Sequence, residues 1–564
     1  MTTNIAVGGL IGYNNCDISD SYATGNITSG TVGHVGGLTG INYGSISNSY
    51  ATGNITSSNR GSVGGLTGIN DGSINNSYST GDVISHGDAG GITGLNFKNI
   101  NGCYATGDIE TTGRYAGGIT GNNLYKYSII SNSCFTGNVK VKGSCNAGGI
   151  AGENYQGAIT NCYTIGDVTV IDAEYARVGG IAGVVNGSSR GYGIISRCYA
   201  VGKVTVLSSE PGDIYAGGIA GWLNQNSNIT SSYFIGDVTA SSTGNSGHYY
   251  YSYYTCVGGI IGRSDESNNF IENCYSAGDV TATATIDSGY GYTCAGGIIG
   301  YAGDGFYDDI NITSCYTTSN VTATSTAASG RSATYVGGIA GINNRKDSIT
   351  SCAALNISIN AIDTNNNYAG RIAGNNIGKL SGNYAKSTML VNGVTVTDDQ
   401  TSPLTNKQGK GITIDDISTE TWWSDTLGWD FTNAWNWKDG YLPYLNEEYK
   451  VDVSSLSNNF SHSLVKPAVS LTLVTSGAGL ALYNGDGGDA FLSGDTVTVT
   501  ATPDAGYVFV GWVDEDGKPV SSSEVYKFKI VEDMTLTAVF EESKTETAYL
   551  KNIKKSKQVR TWFL

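Results

Sequence analysis

Aliphatic and glycine residues recur along the first two-thirds of the chain in one short phrase, Gly-Gly-aliphatic-x-Gly. The phrase occurs twelve times, from Gly8-Gly9-Leu10 to a worn copy at Gly370-Arg371-Ile372. Successive copies start 26 to 41 residues apart, and self-similarity at such a period predicts a solenoid, a propeller or an array. The pattern therefore indicates a stacked structural surface before it indicates an active site.

Aligning the copies gives three columns of aliphatic residues. The first column follows each Gly-Gly pair, and we predict that it forms a buried core stack of Leu38, Leu66, Ile92, Ile119, Ile150, Ile181, Ile219, Ile260, Ile298 and Ile339. A second column runs from Ile18 to Leu380 and a third from Ile27 to Val321. Three short strands per coil, separated by Gly, Asn and Ser turns, predict an all-β parallel β-helix (β-solenoid) of about twelve coils.

Two polar columns accompany the aliphatic ones. Asn follows the last Gly of the phrase by two positions in eight copies, and stacked amides can hydrogen-bond from coil to coil. A tyrosine column includes Tyr22, Tyr50, Tyr78, Tyr104, Tyr163, Tyr199, Tyr233, Tyr275 and Tyr316. Alternation counted back from Ile27 places these rings outside the coil, whereas alternation counted forward from Ile46 places them inside. We expect packing rather than ligand stacking from this column.

The eleven cysteines form a further pattern. Six of them share a column in which other coils place serine: Cys103, Cys162, Cys198, Cys274, Cys315 and Cys352. Exchange with serine indicates a small inward position, and side chains that stack in parallel suit a disulfide poorly. We therefore predict buried free thiols. Cys256 and Cys294 share another column in adjacent coils and are the best candidates for a bridge.

An acidic column raises two chemical alternatives. It contains Asp82, Asp108, Asp167, Asp237 and Asp279, with Asn in the equivalent places of other coils. Adjacent carboxylates about one strand spacing apart could serve a retaining glycosidase, or Asp237 and Asp279 could hold Ca²⁺. Because asparagine serves equally well there, we favour a solvated turn, and we expect no cofactor and no metal.

Coils seven to eleven are longer than the others, and the extra residues fall at one point of each repeat, within 205–216, 239–257, 281–295 and 322–336. Insertions at one point of consecutive repeats lie on one face, often the binding face. Tyrosine supplies contact area at low entropic cost. The candidate binding residues are Tyr249, Tyr250, Tyr251, Tyr253, Tyr254, Tyr290, Tyr292 and Trp222. The alternative is that the insertions only lengthen strands and widen the coil.

The composition changes after the last repeat, which defines the domain boundaries. Residues 1–385 are the predicted solenoid, and 386–450 carry five of the eight tryptophans and form a predicted cap over the open end. A linker at 451–465 precedes a small β-rich domain at 466–541, where Val497–Trp512 and Met534–Phe540 alternate like strands. The tail, 542–564, is basic.

Two segments resemble known families. Val35–Asn42 and Asn48–Ile55 are similar to the GLUG motif, which occurs in large bacterial surface proteins and in the spine of some immunoglobulin A1 peptidases; the resemblance covers residues 1 to about 385. The peptidase zinc site does not carry over, because none of the four histidines forms a His-Glu-x-x-His pair. The phrases around Gly506-Tyr507, Gly511-Trp512 and Val539-Phe540 resemble the divergent InlB B-repeat, a spacer or binding module of Gram-positive surface proteins.

Net charge and hydropathy limit the classes of partner that this chain is expected to bind. A net charge of −17 argues against nucleic acid, and no apolar segment is long enough to span a membrane. No signal peptide precedes the first repeat, so we expect a fragment of an extracellular or cell-surface protein. We expect a non-catalytic adhesin that displays a Tyr-rich face to glycans or to host matrix or cell-surface proteins. A polysaccharide-active enzyme that uses stacked aspartates and a structural stalk are the alternatives; the oligomeric state stays open.

Overall fold

The computed structural model describes residues 5–30, 33–58, 60–210, 212–244, 252–286, 290–303, 309–327, 331–398, 405–445, 468–484, 490–492, 495–530 and 534–543. The chain separates into two compact units, Met1–Pro467 and Ala468–Leu564. The described residues of both units are almost entirely β-structure.

The first unit is a parallel β-helix of twelve coils. Its strands form five sheets rather than the three that the aliphatic columns predicted. The two additional sheets consist largely of the strand before each Gly-Gly pair and of the tyrosine strand, some of whose members have only two residues. A strand that short shows no alternation from which it could be recognised.

Sheets 1 and 2 lie on either side of the Gly-Gly pair. The strands of sheet 1 are Ile5–Gly8, Gly33–Gly36, Val63–Gly64, Ala89–Gly90, Tyr115–Gly117, Cys145–Gly148, Tyr175–Gly179, Asp213–Gly217, Ser252–Gly258, Tyr290–Gly296, Arg331–Gly337 and Asn367–Gly370. The strands of sheet 2 are Ile11–Asn14, Thr39–Asn42, Thr67–Asn70, Thr93–Asn96, Thr120–Leu124, Ala151–Tyr155, Ala182–Asn186, Ala220–Leu223, Ile261–Ser264, Ile299–Ala302, Ala340–Asn343 and Ala373–Asn376.

Sheets 3, 4 and 5 complete each coil. Sheet 3 consists of Ile18–Ser19, Ser45–Ser47, Ser73–Asn75, Ile100–Asn101, Ile129–Ser131, Ala158–Thr160, Gly193–Ser196, Ser227–Thr230, Ser267–Glu272, Asp309–Thr313, Ser348–Thr350 and Lys379–Ser381. Sheet 4 consists of Tyr22–Ala23, Tyr50–Ala51, Tyr78–Ser79, Tyr104–Ala105, Cys134–Phe135, Tyr163–Ile165, Tyr199–Val201, Tyr233–Ile235, Tyr275–Ala277, Tyr316–Thr317, Ala353–Ala354, Tyr384–Lys386 and Lys410–Ile412. Sheet 5 consists of Ile27–Ser29, Ile55–Ser57, Val83–Ser85, Ile109–Thr111, Val139–Lys142, Val168–Ile171, Val204–Ser208, Val238–Gly244, Val280–Ile286, Val321–Ala327, Ser358–Asp363, Leu390–Val391 and Val394–Thr395.

The aliphatic columns form the interior of the coil stack. The ten residues from Leu38 to Ile339 that follow the Gly-Gly pairs are all 0% exposed. Leu10, their equivalent in the first coil, is 51% exposed and packs against a coil on one side only. The core is therefore one continuous apolar column shared by successive coils.

The Gly-Gly pair is explained by close backbone approach at the corner between sheets 1 and 2. A Cβ atom on Gly37 would lie 2.2 Å from the carbonyl oxygen of Gly65 in the next coil and 2.6 Å from the Cβ of Ala51. No side chain fits at such distances, so the corner requires glycine. At the last coil Arg371 occupies this place; its side chain is 0% exposed and bonds to Asp398.

A left-handed residue between sheets 3 and 4 decides which way the tyrosines face. Asn48, for example, has a φ of 47°, and the equivalent residue has a positive φ in every coil. Ser49, which follows this corner, is 1% exposed, whereas Tyr22 on the adjoining strand of the first coil is 60% exposed. The serine and cysteine column therefore faces inward and the tyrosine column faces outward, as alternation counted from Ile27 indicated.

The asparagine ladder predicted from the sequence is confirmed. The side-chain amide of each residue donates to the amide oxygen of the next coil at 2.6–2.8 Å: Asn14 to Asn42, Asn42 to Asn70, Asn70 to Asn96, Asn96 to Asn123, Asn123 to Asn154, and Asn343 to Asn376. Most of these amides are fully buried, so their mutual bonds replace those that water would provide.

The tryptophan-rich segment covers a side of the coil stack more than its end. Residues 405–412 do extend the last coil, where Lys410–Ile412 pairs with Tyr384–Lys386. The segment then passes through a short helix, Ile414–Ile417, and a π-helical turn, Trp422–Thr426, and runs back along sheet 4. Trp435 donates to the Asn273 side chain at 3.2 Å, and the Tyr316 hydroxyl donates to the Pro443 carbonyl at 2.8 Å.

The tryptophan-rich segment covers outward tyrosines of sheet 4. Tyr275 and Tyr316 are 0% exposed although they face outward from the coil. Their rings lie 6.2 and 5.8 Å from the ring of Trp435. The expectation of an end cap was therefore right only for the first residues of the segment, because the rest of it packs on the outward tyrosines of sheet 4.

The second unit contains two antiparallel-rich sheets. One consists of Ala490–Leu492, Ala468–Ser476, Met534–Glu542, Tyr507–Val513 and Pro519–Ser521, and the other of Gly479–Asn484, Asp495–Pro503 and Val525–Ile530. Trp512, Leu536 and Ile530 are fully buried between them. The Gly511-Trp512 phrase noted in the sequence thus supplies the centre of this core.

Candidate binding face

The extra residues of the longer coils extend sheets 5 and 1. Val280–Ile286 pairs in register with Val321–Ala327 over seven residues, and Ser252–Gly258 pairs with Tyr290–Gly296 in the same way. Alternate residues of Val280–Ile286 face the interior. The last of them, Ile286, is 7% exposed and lies against Gly291. In their described residues the insertions thus lengthen strands and widen the coil, which was the alternative to a binding face. Tyr249, Tyr250 and Tyr251 lie outside the described residues.

Alternation along the lengthened strands separates the remaining candidate tyrosines. Tyr254 pairs with Tyr292, and Tyr253 pairs with Gly291, which faces the interior. Tyr290 lies on the same outward face as Tyr292, two residues along the strand, and is 40% exposed. The structure therefore brings Tyr254, Tyr290 and Tyr292 to one face and turns Tyr253 away from it.

This outward face of sheet 1 meets the outward face of sheet 2 in a cluster that we name the aromatic seam. The seam spans coils eight to eleven and contains Tyr215, Tyr254, Cys256, Tyr292, Cys294 and Tyr335 from sheet 1, and Trp222, Arg263, Tyr301 and Ile342 from sheet 2. Successive tyrosines stack along it, with ring centroids 5.0 Å apart between Tyr254 and Tyr292 and 6.4 Å between Tyr292 and Tyr335.

A buried arginine holds the seam together. The Arg263 guanidinium lies 4.7 Å from the rings of Tyr254 and Tyr301 and 5.2 Å from that of Tyr215. Its Nε donates to Asp265, whose carboxylate also accepts from the Trp222 indole at 2.9 Å. Burial opposes the charged guanidinium, but Asp265 outweighs it and keeps the pKa of Arg263 above its usual value. Arg263 is thus a permanent cation that rigidly orients the aromatic rings around it.

The seam also shows partly exposed surface. Trp222, Tyr254, Tyr292, Tyr301 and Tyr335 are all half-buried, so each ring keeps part of its face or edge accessible. Arg177 extends the seam by one coil, with its guanidinium 4.7 Å above the Trp222 ring. Rigid, half-exposed aromatic rings beside fixed polar groups are what a recognition surface for a sugar or a peptide requires.

Cys256 and Cys294 lie inside the seam, in register with each other and 0% exposed. Both are free thiols, as are the other nine cysteines. Burial raises the pKa of the Cys256 thiol well above its usual value, which keeps it protonated and unreactive. The column of six cysteines consists of buried free thiols, as predicted. Each thiol takes the place of a serine and donates to the carbonyl two residues before it, as Cys162 does to Thr160.

The acidic column forms hydrogen bonds to the backbone of the neighbouring coils. The Asp237 carboxylate accepts from the Asp279 amide at 3.1 Å and lies 3.5 Å from the Lys203 ammonium. In the same way, the Asp82 carboxylate accepts from the Asp108 amide at 2.9 Å. Among the described residues, no group of three or more His, Cys, Asp or Glu side chains could hold a metal ion. The column is thus a ladder of side-chain-to-backbone bonds at the turn before sheet 5.

Sequence reasoning found part of the seam and missed the rest. It named Trp222, Tyr254 and Tyr292 but not Tyr215, Arg263, Tyr301 or Tyr335. A signal was present, because Trp222, Arg263 and Tyr301 each follow the last glycine of their Gly-Gly-Ile-x-Gly phrase. That column points outward in sheet 2, where the core imposes no requirement on it.

Comparison with known proteins agrees with the repeat and with the second unit. The GLUG motif family matches residues 3–28, 31–56 and 143–169, and the divergent InlB B-repeat domain family matches residues 469–544. No curated protein matches the chain. Among solved structures, a Bacteroides ovatus protein provisionally named an immunoglobulin A1 protease is similar, at 20% identity over 60% of this chain and 86% of that chain, with a TM-score of 0.31. Among the described residues, no helix is long and apolar enough to cross a membrane.

Proposed function

We propose that this chain, a GLUG-motif β-solenoid with a divergent InlB B-repeat domain, is a non-catalytic, adhesin-like protein of the bacterial cell surface. Both modules are typical of bacterial surface proteins. The ligand would be a glycan or a host matrix or cell-surface protein, bound at the aromatic seam outside the cell.

The observation that carries this proposal is the continuous row of half-exposed rings over coils eight to eleven. The core of the solenoid is complete without the seam, since the inward columns of coils eight to eleven are already fully buried. Building a solenoid therefore does not require Trp222, Tyr292 or Tyr335 to be aromatic. Large aromatic side chains at positions that the fold leaves free are typical of binding surfaces.

The non-catalytic part of the proposal is supported by how the aspartates are used. A glycosidase pair needs one carboxylate to donate a proton and another to attack or activate water. Asp82 and Asp237 instead each accept a backbone N–H from the next coil. One oxygen of each carboxylate, Oδ1, is thus engaged in holding the turn.

The test is a binding screen of the full chain against arrayed glycans and matrix proteins. The seam variant carries Trp222→Ala, Tyr292→Ala and Tyr335→Ala. Its matched control replaces three exposed tyrosines of the first two coils, Tyr13, Tyr22 and Tyr43, by alanine. Binding that is lost in the seam variant and kept in the control is the expected result. No binding by the wild-type chain would refute the adhesin and leave the structural stalk, and equal loss in both variants would refute the seam as its site.

A further inference from the structure

A second surface lies on the opposite edge of sheet 2, at the turns that lead into sheet 3. In coils four to seven these turns carry Lys98, Lys126 and Arg190 together with Phe97, Tyr125 and Tyr127. With Asp71 and Gln156 they line a pocket of about 630 Å³. We name this group the basic–aromatic pocket; it is separate from the aromatic seam.

The loops that form the pocket are packed against one another. A Cβ atom on Gly191 would lie 3.1 Å from the Cβ of Lys126 and 3.4 Å from the Cβ of Gln156. The turn of coil seven is closed by reciprocal backbone bonds between Ser188 and Gly191 at 2.8 and 3.3 Å, which leaves Arg190 at its tip. The loops that carry Lys126 and Arg190 are therefore in contact with each other, so the backbone at these two positions is held before any ligand arrives.

The aromatic rings of the pocket have no role in the core. Tyr125 and Tyr127 are 55% and 66% exposed. Phe97 stacks on Tyr125 with ring centroids 5.7 Å apart, and the Lys126 ammonium lies 4.8 Å from the Tyr127 ring. Tyr125 has a φ of 79°, a conformation that is rare for an aromatic residue. A strained backbone position that carries an exposed ring, as at Tyr125, is a candidate for a functional role.

The charge of the pocket opposes that of the protein. The chain has a net charge of −17, yet three cationic side chains and one carboxylate line this pocket. Lys98, Lys126 and Arg190 make no ion pair with any residue that the structure describes. Their charges are therefore available to an anion from solvent, against the prevailing field of the surface.

We propose that the basic–aromatic pocket binds an acidic glycan, with uronate carboxylates or sulfates on Lys98, Lys126 and Arg190 and a pyranose ring against Tyr125 or Tyr127. Cations recognise the acidic groups, and the flat aromatic faces suit the apolar C–H face of a sugar. A pocket of this volume is in the usual range for small-ligand sites. A double-stranded nucleic acid fits less well, because it would bring many phosphates against a strongly acidic protein.

The experiment measures binding of the full chain by calorimetry to heparin and hyaluronan decasaccharides, to a neutral dextran oligosaccharide and to a short DNA duplex. We expect binding to at least one acidic glycan that weakens as salt is raised, and none to dextran. Replacing Lys98, Lys126 and Arg190 by glutamine should weaken that binding by at least about tenfold, as loss of charge-assisted contacts does.

Two further variants distinguish binding at the pocket from a general effect of positive charge. Lys140→Gln, Lys142→Gln and Lys203→Gln remove the same charge from exposed positions at sheet 5, and this control should bind like the wild type. Tyr125→Ala with Tyr127→Ala keeps the charge and should still weaken glycan binding. The proposal is overturned if no acidic glycan binds, or if the pocket triple variant and the sheet 5 control lose glycan affinity equally. It is also overturned if the tyrosine variant binds glycan normally, or if DNA binds as tightly as glycan. The seam variant described above should not change this binding.

Discussion

Replacing Ile219 by aspartate tests the continuous core directly. Ile219 is 0% exposed and stacks between Ile181 and Ile260 of the neighbouring coils. Losing a buried isoleucine side chain costs about 1.5–3 kcal/mol. Burial can raise the pKa of the new carboxyl by about three units or more, which adds about 4 kcal/mol at neutral pH. We therefore expect the free energy of unfolding to fall by at least about 4 kcal/mol, unless the affected coils open locally.

The pH dependence of this variant has a definite sign. When the pKa of a carboxyl group is higher in the folded than in the unfolded state, the free energy of unfolding of the protein falls as pH rises above the unfolded pKa, about 3.9. The destabilisation of Ile219→Asp should accordingly be smallest in acid, where the group is neutral in both states, and grow toward neutrality. Ile219→Val should cost only about 1 kcal/mol at every pH.

The assay is urea unfolding followed by tryptophan emission, because Trp423 and Trp435 are buried against sheet 4 and report on the integrity of the coil stack. The matched control is Ile84→Asp, since Ile84 is 46% exposed on sheet 5 and should change stability by about 0.5 kcal/mol or less. A loss below about 1 kcal/mol for Ile219→Asp, or an equal loss for Ile84→Asp, would refute the core column.

Three further predictions follow from the packing. Asn96→Leu leaves a donor and an acceptor of the neighbouring ladder amides unpaired and should cost about 2–4 kcal/mol in urea unfolding; an unchanged midpoint would show that the ladder adds nothing. Gly218→Ala would place a Cβ 2.2 Å from the Gly259 carbonyl oxygen and should lower the melting temperature strongly, whereas Gly25→Ala has no atom within 4 Å and should not; equal effects would contradict the corner argument. Thiol titration should label Cys16 first in the native chain and all eleven cysteines in denaturant, because nine are buried and burial raises the pKa of Cys103, for example, to about 12; nine reactive thiols in denaturant would instead reveal a Cys256–Cys294 bridge.

The sequence predicts the interior of the solenoid well because the interior is periodic. Leu38, Ile219 and Ile339 occupy the same place in their coils, so one rule explains all three. The asparagine ladder follows from the same logic, since Asn42 and Asn70 each meet an identical neighbour. Interactions between equivalent residues of adjacent repeats are local in space and can be read from one alignment of the copies.

Prediction fails where partners are not equivalent. Trp435 contacts Asn273 although 162 residues separate them, and no repeat indicates that a later segment returns along sheet 4. The outward tyrosines are therefore indistinguishable in sequence, yet Tyr22 is 60% exposed and Tyr316 is 0% exposed. The number of sheets was wrong for a related reason, because strands of two residues are defined by their pairing and not by their pattern.

The aromatic seam follows from the division between inward and outward positions, and the basic–aromatic pocket from turns that likewise lie outside the core. The inward column after Gly-Gly contains only leucine and isoleucine in twelve coils, since any other residue would disturb its neighbours. The outward column that follows the last glycine is under no such restraint and changes from Ile41 and Ile69 in early coils to Trp222, Arg263 and Tyr301 in later ones. The stacked coils fix the backbone but do not restrict the residue type in this outward column. Different coils can therefore present different side chains at a fixed spacing. The departures from the repeat, rather than the repeat itself, are therefore where the binding functions of this chain are to be sought.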